Sequence, residues 1–194
     1  MLTVYIDMDG VLCDFRGSLV PYINARVRET ATYARAHDPV DWPDDVKRIL
    51  KWAGCKDLDL VVPPTEYEQL DNSAGREMYM RFIERDSLFW AVLEPLKGSS
   101  GLISMVTAAG NPYYLLTSPL PHKACEDGKR AWALQRLGLA APIIMDREKW
   151  RYAHPNALLI DDDPGQCEQF RDHGGLAVQW EGTLDNFREV GLLI

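Results

Sequence analysis

Two runs of carboxylates carry the chemistry of this chain. Asp7 and Asp9 follow the apolar segment Leu2–Ile6, and Asp161, Asp162 and Asp163 follow the apolar segment Ala157–Ile160. Acidic residues after a strand often do no more than cap a turn. If the two segments are neighbouring strands, however, up to five carboxylates converge, and their mutual repulsion is costly unless a cation sits among them. Mg²⁺ suits such a place, because it is a hard ion that takes oxygen ligands, keeps several waters and is readily shared with a substrate phosphate. Two further positions have the opposite character. Thr117-Ser118 follows Tyr114-Leu115-Leu116 and offers hydroxyls and backbone N–H groups to an oxyanion ahead of a helix, and Lys149 follows Ile143-Ile144-Met145 with a positive charge.

Those positions are held by elements that can be read from hydrophobic pattern. Leu2–Ile6, Pro112–Thr117, Pro142–Met145, Ala157–Ile160 and Leu176–Gln179 are short and almost wholly apolar, as expected of strands covered on both faces. Helices are expected from Pro121 to Leu137, closed by Gly138, and from Pro164 to about His173. Strand alternating with helix predicts an α/β fold with a parallel, Rossmann-like sheet, whose ligand crevice lies at the carboxyl ends of the strands. Between Arg16 and Leu93 the texture is helical instead. Segments run from Ser18 to about Tyr33, from Pro43 with Asp44 and Asp45 to about Trp52, and from Asn72 or Ser73 with Ala74, Met78 and Phe82 on one face. The expected organisation is a core of residues 1–15 and 94–194, with residues 16–93 inserted after the first strand as a small helical domain.

Composition narrows the partners. The 194 residues carry 29 acidic and 21 basic side chains, a formal charge of −8, with 46% hydrophobic and 26% charged residues. That is an ordinary globular balance and excludes a disordered or fibrous chain. The acidic excess argues against a nucleic-acid polymer or an anionic membrane as partner. No apolar run approaches the roughly 20 residues of a membrane span, and Leu2–Ile6 lacks the pattern of a signal peptide, so the cytoplasm is the expected location. Cys13, Cys55, Cys125 and Cys167 are scattered without a C-x-x-C pair and are expected as thiols. His37, His122, His154 and His173 show no metal-ligand spacing and are expected to be structural or exposed.

Taken in order, Asp7-Met8-Asp9-Gly10-Val11, Leu116-Thr117-Ser118-Pro119, Lys149 and Leu159-Ile160-Asp161-Asp162 resemble the four motifs of the haloacid dehalogenase superfamily of phosphohydrolases, with the helical insertion in the position of its cap. Asp14-Phe15 and Pro164 bring the pattern closest to the 5'(3')-deoxyribonucleotidase family. The resemblance implies that Asp7 attacks phosphorus to form an aspartyl phosphate. It implies that Asp9 protonates the leaving oxygen, then deprotonates the hydrolytic water, while its backbone carbonyl joins Asp7 on Mg²⁺. Asp162 would be the side-chain metal ligand and Asp161 its support, an assignment that could be exchanged. Thr117 and Lys149 would neutralise the phosphoryl oxygens, Ser118 would bind them, and Phe15 with the pair Phe89-Trp90 would stack a nucleobase. Trp42 and Trp52 are further aromatics of the insertion and are expected chiefly as core. Two positions depart from the family pattern: Asp163 stands where Arg is usual, and Cys13 where a small Ala is common.

These readings lead to a Mg²⁺-dependent phosphomonoesterase for a small nucleotide, a 5'-deoxyribonucleoside monophosphate first. The alternatives are another small phosphomonoester such as a sugar phosphate, or a non-catalytic binding domain that keeps the fold. A homodimer stays open.

Overall fold

Val4 and Ile6 point to one side of the first strand and Tyr5 to the other, and all three are buried, so this strand must lie inside a covered sheet. The computed structural model, which describes residues 1–41, 43, 44, 47, 80, 81, 83–138 and 142–194, bears this out. Among the described residues are β1 (Thr3–Ile6), β2 (Tyr113–Thr117), β3 (Ile143–Met145), β4 (Ala157–Asp161) and β5 (Leu176–Gln179). They pair in parallel in the order β3-β2-β1-β4-β5. β1 is central, and the chain runs outward from it in both directions. The reversal of strand order at β1 and β4 is where a doubly wound sheet opens its ligand crevice.

The register puts the motif residues level with one another. Ile6 pairs with Leu115 on one side and with Ile160 on the other, so Asp7 and Asp161 leave the sheet side by side. On one face Tyr5, Leu116, Ala157, Leu159, Cys167, Phe170 and Ala177 form a buried apolar cluster. α-Helix formation around the sheet follows local signals. In α1 (Phe15–Ala36) the buried residues Leu19, Val20, Ile23, Val27, Thr30, Ala31 and Ala34 recur at helical spacing, and Pro21 lies within the helix. Downstream are α2 (Ser87–Ala91), α3 (Ser99–Ala108), α4 (Lys123–Leu137), α5 (Pro164–Asp172) and α6 (Leu184–Leu193). α4 starts later than its expected Pro121, because the His122 ring accepts from the Ala124 amide and caps it. α3 and α6 lie outside the elements expected from the sequence.

The chain divides into two compact units, Met1–Phe15 with Ile83–Ile194, and Arg16–Phe82. Residues 83–93, expected in the insertion, group with the sheet. The cause is local packing. A side chain at Gly128 of α4 would overlap the Ser87 carbonyl and Trp90 Cβ of α2, so the bare glycine lets the two helices touch backbone to backbone. The Trp132 indole donates to the Leu93 carbonyl at 2.8 Å and fastens the end of this segment. The two chain crossings are tied together by Asp14 N to Glu94 O at 2.7 Å and Leu96 N to Leu12 O at 2.9 Å. Trp42, Trp52, Cys55, Asn72, Ser73, Ala74, Met78 and Phe82 lie outside the described residues.

Candidate active site

The loop after β1 is drawn tight by one carbonyl. Met8 O accepts from Leu12 N and Cys13 N, both at 2.9 Å, and from the Cys13 thiol at 3.2 Å. Met8, Val11, Leu12 and Cys13 are fully buried, so the loop is anchored from below while Asp7 and Asp9 face the strand tips. Gly10 makes the turn at φ +80°, and a methyl group there would overlap the Asp162 carboxylate. The turn therefore needs glycine twice over, for its backbone and for the close approach of Asp162.

Three carboxylates, from Asp7, Asp161 and Asp162, bring oxygen atoms within 4.8 Å of one another, in a place where a metal ion fits. Lys149 lies beside them, buried in the short 3₁₀ turn Lys149–Tyr152. Its Nζ is 2.6 Å from Asp161 Oδ2 and 2.8 Å from Asp7 Oδ1. The Asp7 contact is a charge contact rather than an aligned hydrogen bond: Asp7 Oδ1 is buried without a hydrogen-bond partner among the described residues. Burial opposes the charge on Lys149, but Asp7 and Asp161 outweigh it and hold the ammonium above the ordinary lysine value. Burial, and next the Asp7 charge, push Asp161 up to about 7 against the pull of Lys149. Asp161 Oδ1 also accepts from Asp163 N at 3.0 Å, so both of its oxygens have protein partners.

A second ammonium, from Lys129 of α4, completes the constellation and was not expected from the motifs. It is fully buried, 2.6 Å from Asp9 Oδ2 and 2.6 Å from Thr117 Oγ1. Its signal in the sequence is spacing. Lys129 interrupts the buried stripe Cys125, Gly128, Trp132 and Ala133, where a cation is retained only if it has partners.

The expected site residues fall into two groups. Asp7, Asp9, Thr117, Lys149, Asp161 and Asp162 gather at the carboxyl ends of the central strands, with Ser118 directly after β2. The rings expected to stack a base are placed differently. Phe89 and Trp90 are 0% and 2% exposed, and the Trp90 indole donates to Ile83 O at 2.8 Å. They are interior side chains here. Phe15 is half-buried and stacks on Trp90 at 5.6 Å. Asp163, the departure from the family pattern, accepts from Gly165 N at 2.7 Å and Gln166 N at 3.2 Å and so caps α5. Cys13, Cys125 and Cys167 are buried free thiols.

Comparison with known proteins places this arrangement. No family model matches the chain. A haloacid dehalogenase-like family hydrolase from Xanthomonas campestris superposes with a TM-score of 0.51 at 10% identity, over 100% of this chain and 91% of that one. The chain has the haloacid dehalogenase fold. A hydrolase from Streptococcus pneumoniae is also similar, with a TM-score of 0.49 and 16% identity over 97% of this chain and 96% of its own. Among curated proteins, the mitochondrial 5'(3')-deoxyribonucleotidase of Mus musculus is 27% identical over 167 residues, 84% of this chain and 65% of the relative. The chain thus spans about two thirds of that relative's length. The parallel α/β sheet is the feature of this fold that the sequence resemblance implied. Among the described residues no helix is long and apolar enough to cross a membrane.

Proposed function

We propose that this chain is a Mg²⁺-dependent phosphatase that hydrolyses a small phosphate monoester through an aspartyl phosphate on Asp7. The observation that carries this reading is the set of charges around Asp7. Among the described residues Asp7, Asp9 and Asp161 lie against the two ammonium groups of Lys129 and Lys149, and the Asp162 carboxylate adjoins Asp7 and Asp161, so carboxylates are in excess at the strand tips. A divalent cation offsets that excess, and the buried Asp7 Oδ1 without a hydrogen-bond partner fits such a group. Asp7 and Asp162 would hold the ion together with the Asp9 backbone carbonyl. Asp161, whose oxygens engage Lys149 and the Asp163 amide, would support them. The bound ion would offset phosphate charge; Lys149 and the Thr117 and Ser118 groups after β2 would neutralise and orient the remaining phosphoryl oxygens. Asp7 Oδ then attacks phosphorus as the ester bond breaks, with Asp9 giving a proton to the leaving oxygen. Water next attacks the aspartyl phosphate, Asp9 takes its proton, and phosphate departs.

For the substrate, the deoxyribonucleotidase relative and the half-buried Phe15 ring favour a nucleoside monophosphate, a 5'-deoxyribonucleotide first. The burial of Phe89 and Trp90 favours a second reading, a sugar phosphate or similar small ester, since two of the three rings assigned to a base are taken up by the core. We propose that the inserted unit, expected over residues 16–93 and grouped here as Arg16–Phe82, is the cap that selects among these esters, with the cytoplasm as location and no nucleic-acid polymer or membrane as partner. Phosphate release from a panel of nucleoside monophosphates and sugar phosphates, with Mg²⁺ and with chelator, tests the reading. Metal-dependent turnover of nucleotides is expected. Broad turnover favouring sugar phosphates would replace the substrate, and silence across the panel would remove the enzymatic reading.

A further inference from the structure

The two buried lysines divide the site between them. Lys149 bridges the tips of β1 and β4 through Asp7 and Asp161, whereas Lys129 bridges the β1 loop and the tip of β2 through Asp9 and Thr117. The three Lys129 Nζ hydrogens have three acceptors: Asp9 Oδ2 and Thr117 Oγ1, both at 2.6 Å, and Ser118 O at 3.5 Å. The ammonium is 0% exposed and lies 5.1 Å from the Trp90 ring centroid, so it is confined as well as paired. Its seat depends on the contact at Gly128, which brings Trp90 of α2 against α4.

A methionine or leucine would fill this place on the apolar stripe without the desolvation that a buried cation suffers. The charge sits where its hydrogens reach two strand tips at once. We propose that Lys129 is a positioning residue, one that holds the Asp9 carboxyl group and the Thr117 hydroxyl in register at the phosphoryl site. Oδ2 is engaged by Lys129, and among the described residues Oδ1 accepts only a long contact from the Cys13 thiol at 3.4 Å, so Oδ1 is the oxygen that gives the proton to the leaving group and later takes one from water. Lys129 itself exchanges no proton. The inference rests on the phosphatase reading above, and it makes a demand that a merely structural lysine does not. Losing Lys129 must harm most the reaction that relies most on Asp9.

An alkyl phosphate needs its leaving oxygen protonated, and p-nitrophenyl phosphate does not. Lys129→Met should therefore lower kcat for the best alkyl ester of the panel by about 100-fold or more, but for p-nitrophenyl phosphate by less than about tenfold, with KM little changed. In an Asp9→Asn background the same substitution should add no selective loss, because the group it positions is already gone. Lys129→Gln, which keeps a donor of shorter reach, should show a smaller ratio between the two esters and secures the comparison if the Met variant does not fold. Equal losses on both esters, or selective losses that add to those of Asp9→Asn, would overturn the assignment. If the wild-type protein cleaves neither ester, the phosphatase reading itself fails and this inference with it.

Discussion

Asp161 is where charge and protonation meet most directly. Burial and the neighbouring Asp7 hold it at about 7, above the ordinary carboxylate value, despite Lys149. Without a divalent ion the folded protein keeps a proton there below about pH 7 and releases it as the pH rises. A cation held by Asp7 and Asp162 beside Asp161 would disfavour that proton, so its affinity should follow the ionised fraction. Mg²⁺ affinity measured by calorimetry should rise about tenfold between about pH 6 and about pH 8 and then level off. An affinity flat across that range would contradict the placing of Asp161 beside the metal ion. At this scale the sequence was informative where chemistry-bearing residues end strands: the order and spacing of Asp7, Asp9, Thr117, Asp161 and Asp162 marked them as candidates, and the family resemblance supplied their expected roles. Lys129 could not, because Glu126, Asp127 and Arg130 around it look like a solvated helix surface. Only the stripe of Cys125, Trp132 and Ala133 betrays that the lysine points inward.

Among the elements, the strands were legible to within a residue or so, since each is a short apolar run ended by a turn. The helices were less so. α3 opens with Ser99, Ser100 and Gly101, and buries only Ser99, Leu102 and Val106, which is too sparse a stripe to announce a helix. α6 is closed at its start by Thr183 and Asn186 capping each other, while Leu184, Leu192 and Leu193 remain exposed, so its apolar pattern points both ways. The aromatic pair Phe89-Trp90 was misplaced for a related reason: burial against α4 depends on Gly128, 38 residues further along the chain than Trp90. Replacing Gly128 by Ala sets the gain in helix propensity, up to about 1 kcal/mol, against overlap with the Ser87 carbonyl and Trp90 Cβ. The overlap falls on backbone and Cβ atoms, which cannot rotate away, so a net loss of about 1–3 kcal/mol is expected. Thermal unfolding should show a drop of several degrees, and activity should fall with it because Lys129 adjoins the strained contact. An unchanged melting temperature would show that α2 and α4 are not packed as described.

At the scale of the molecule, the parallel order β3-β2-β1-β4-β5 converts residues far apart in sequence into one cluster at the carboxyl edge of the sheet. The chain as a whole is acidic, with a formal charge of −8, so on the proposed reading a phosphate ester would meet positive charge in local features. Lys149 would supply it from beneath the strand tips, and Lys129 would hold Asp9 and Thr117 there, both fixed by burial rather than displayed on the surface. The alternation of strand and helix made this architecture readable, whereas the boundary of Arg16–Phe82 depended on packing between residues 83–93 and α4 that no local pattern reports. What the whole arrangement exists to do, on this account, is to present Asp7 to phosphorus. Rapid quenching of the protein with Mg²⁺ and its best substrate, followed by mass spectrometry of the peptide bearing Asp7, measures this directly. A phosphoryl adduct on Asp7 that is absent from the Asp7→Asn variant, together with loss of turnover in that variant, is the predicted result. Turnover by Asp7→Asn at the wild-type rate would contradict the account.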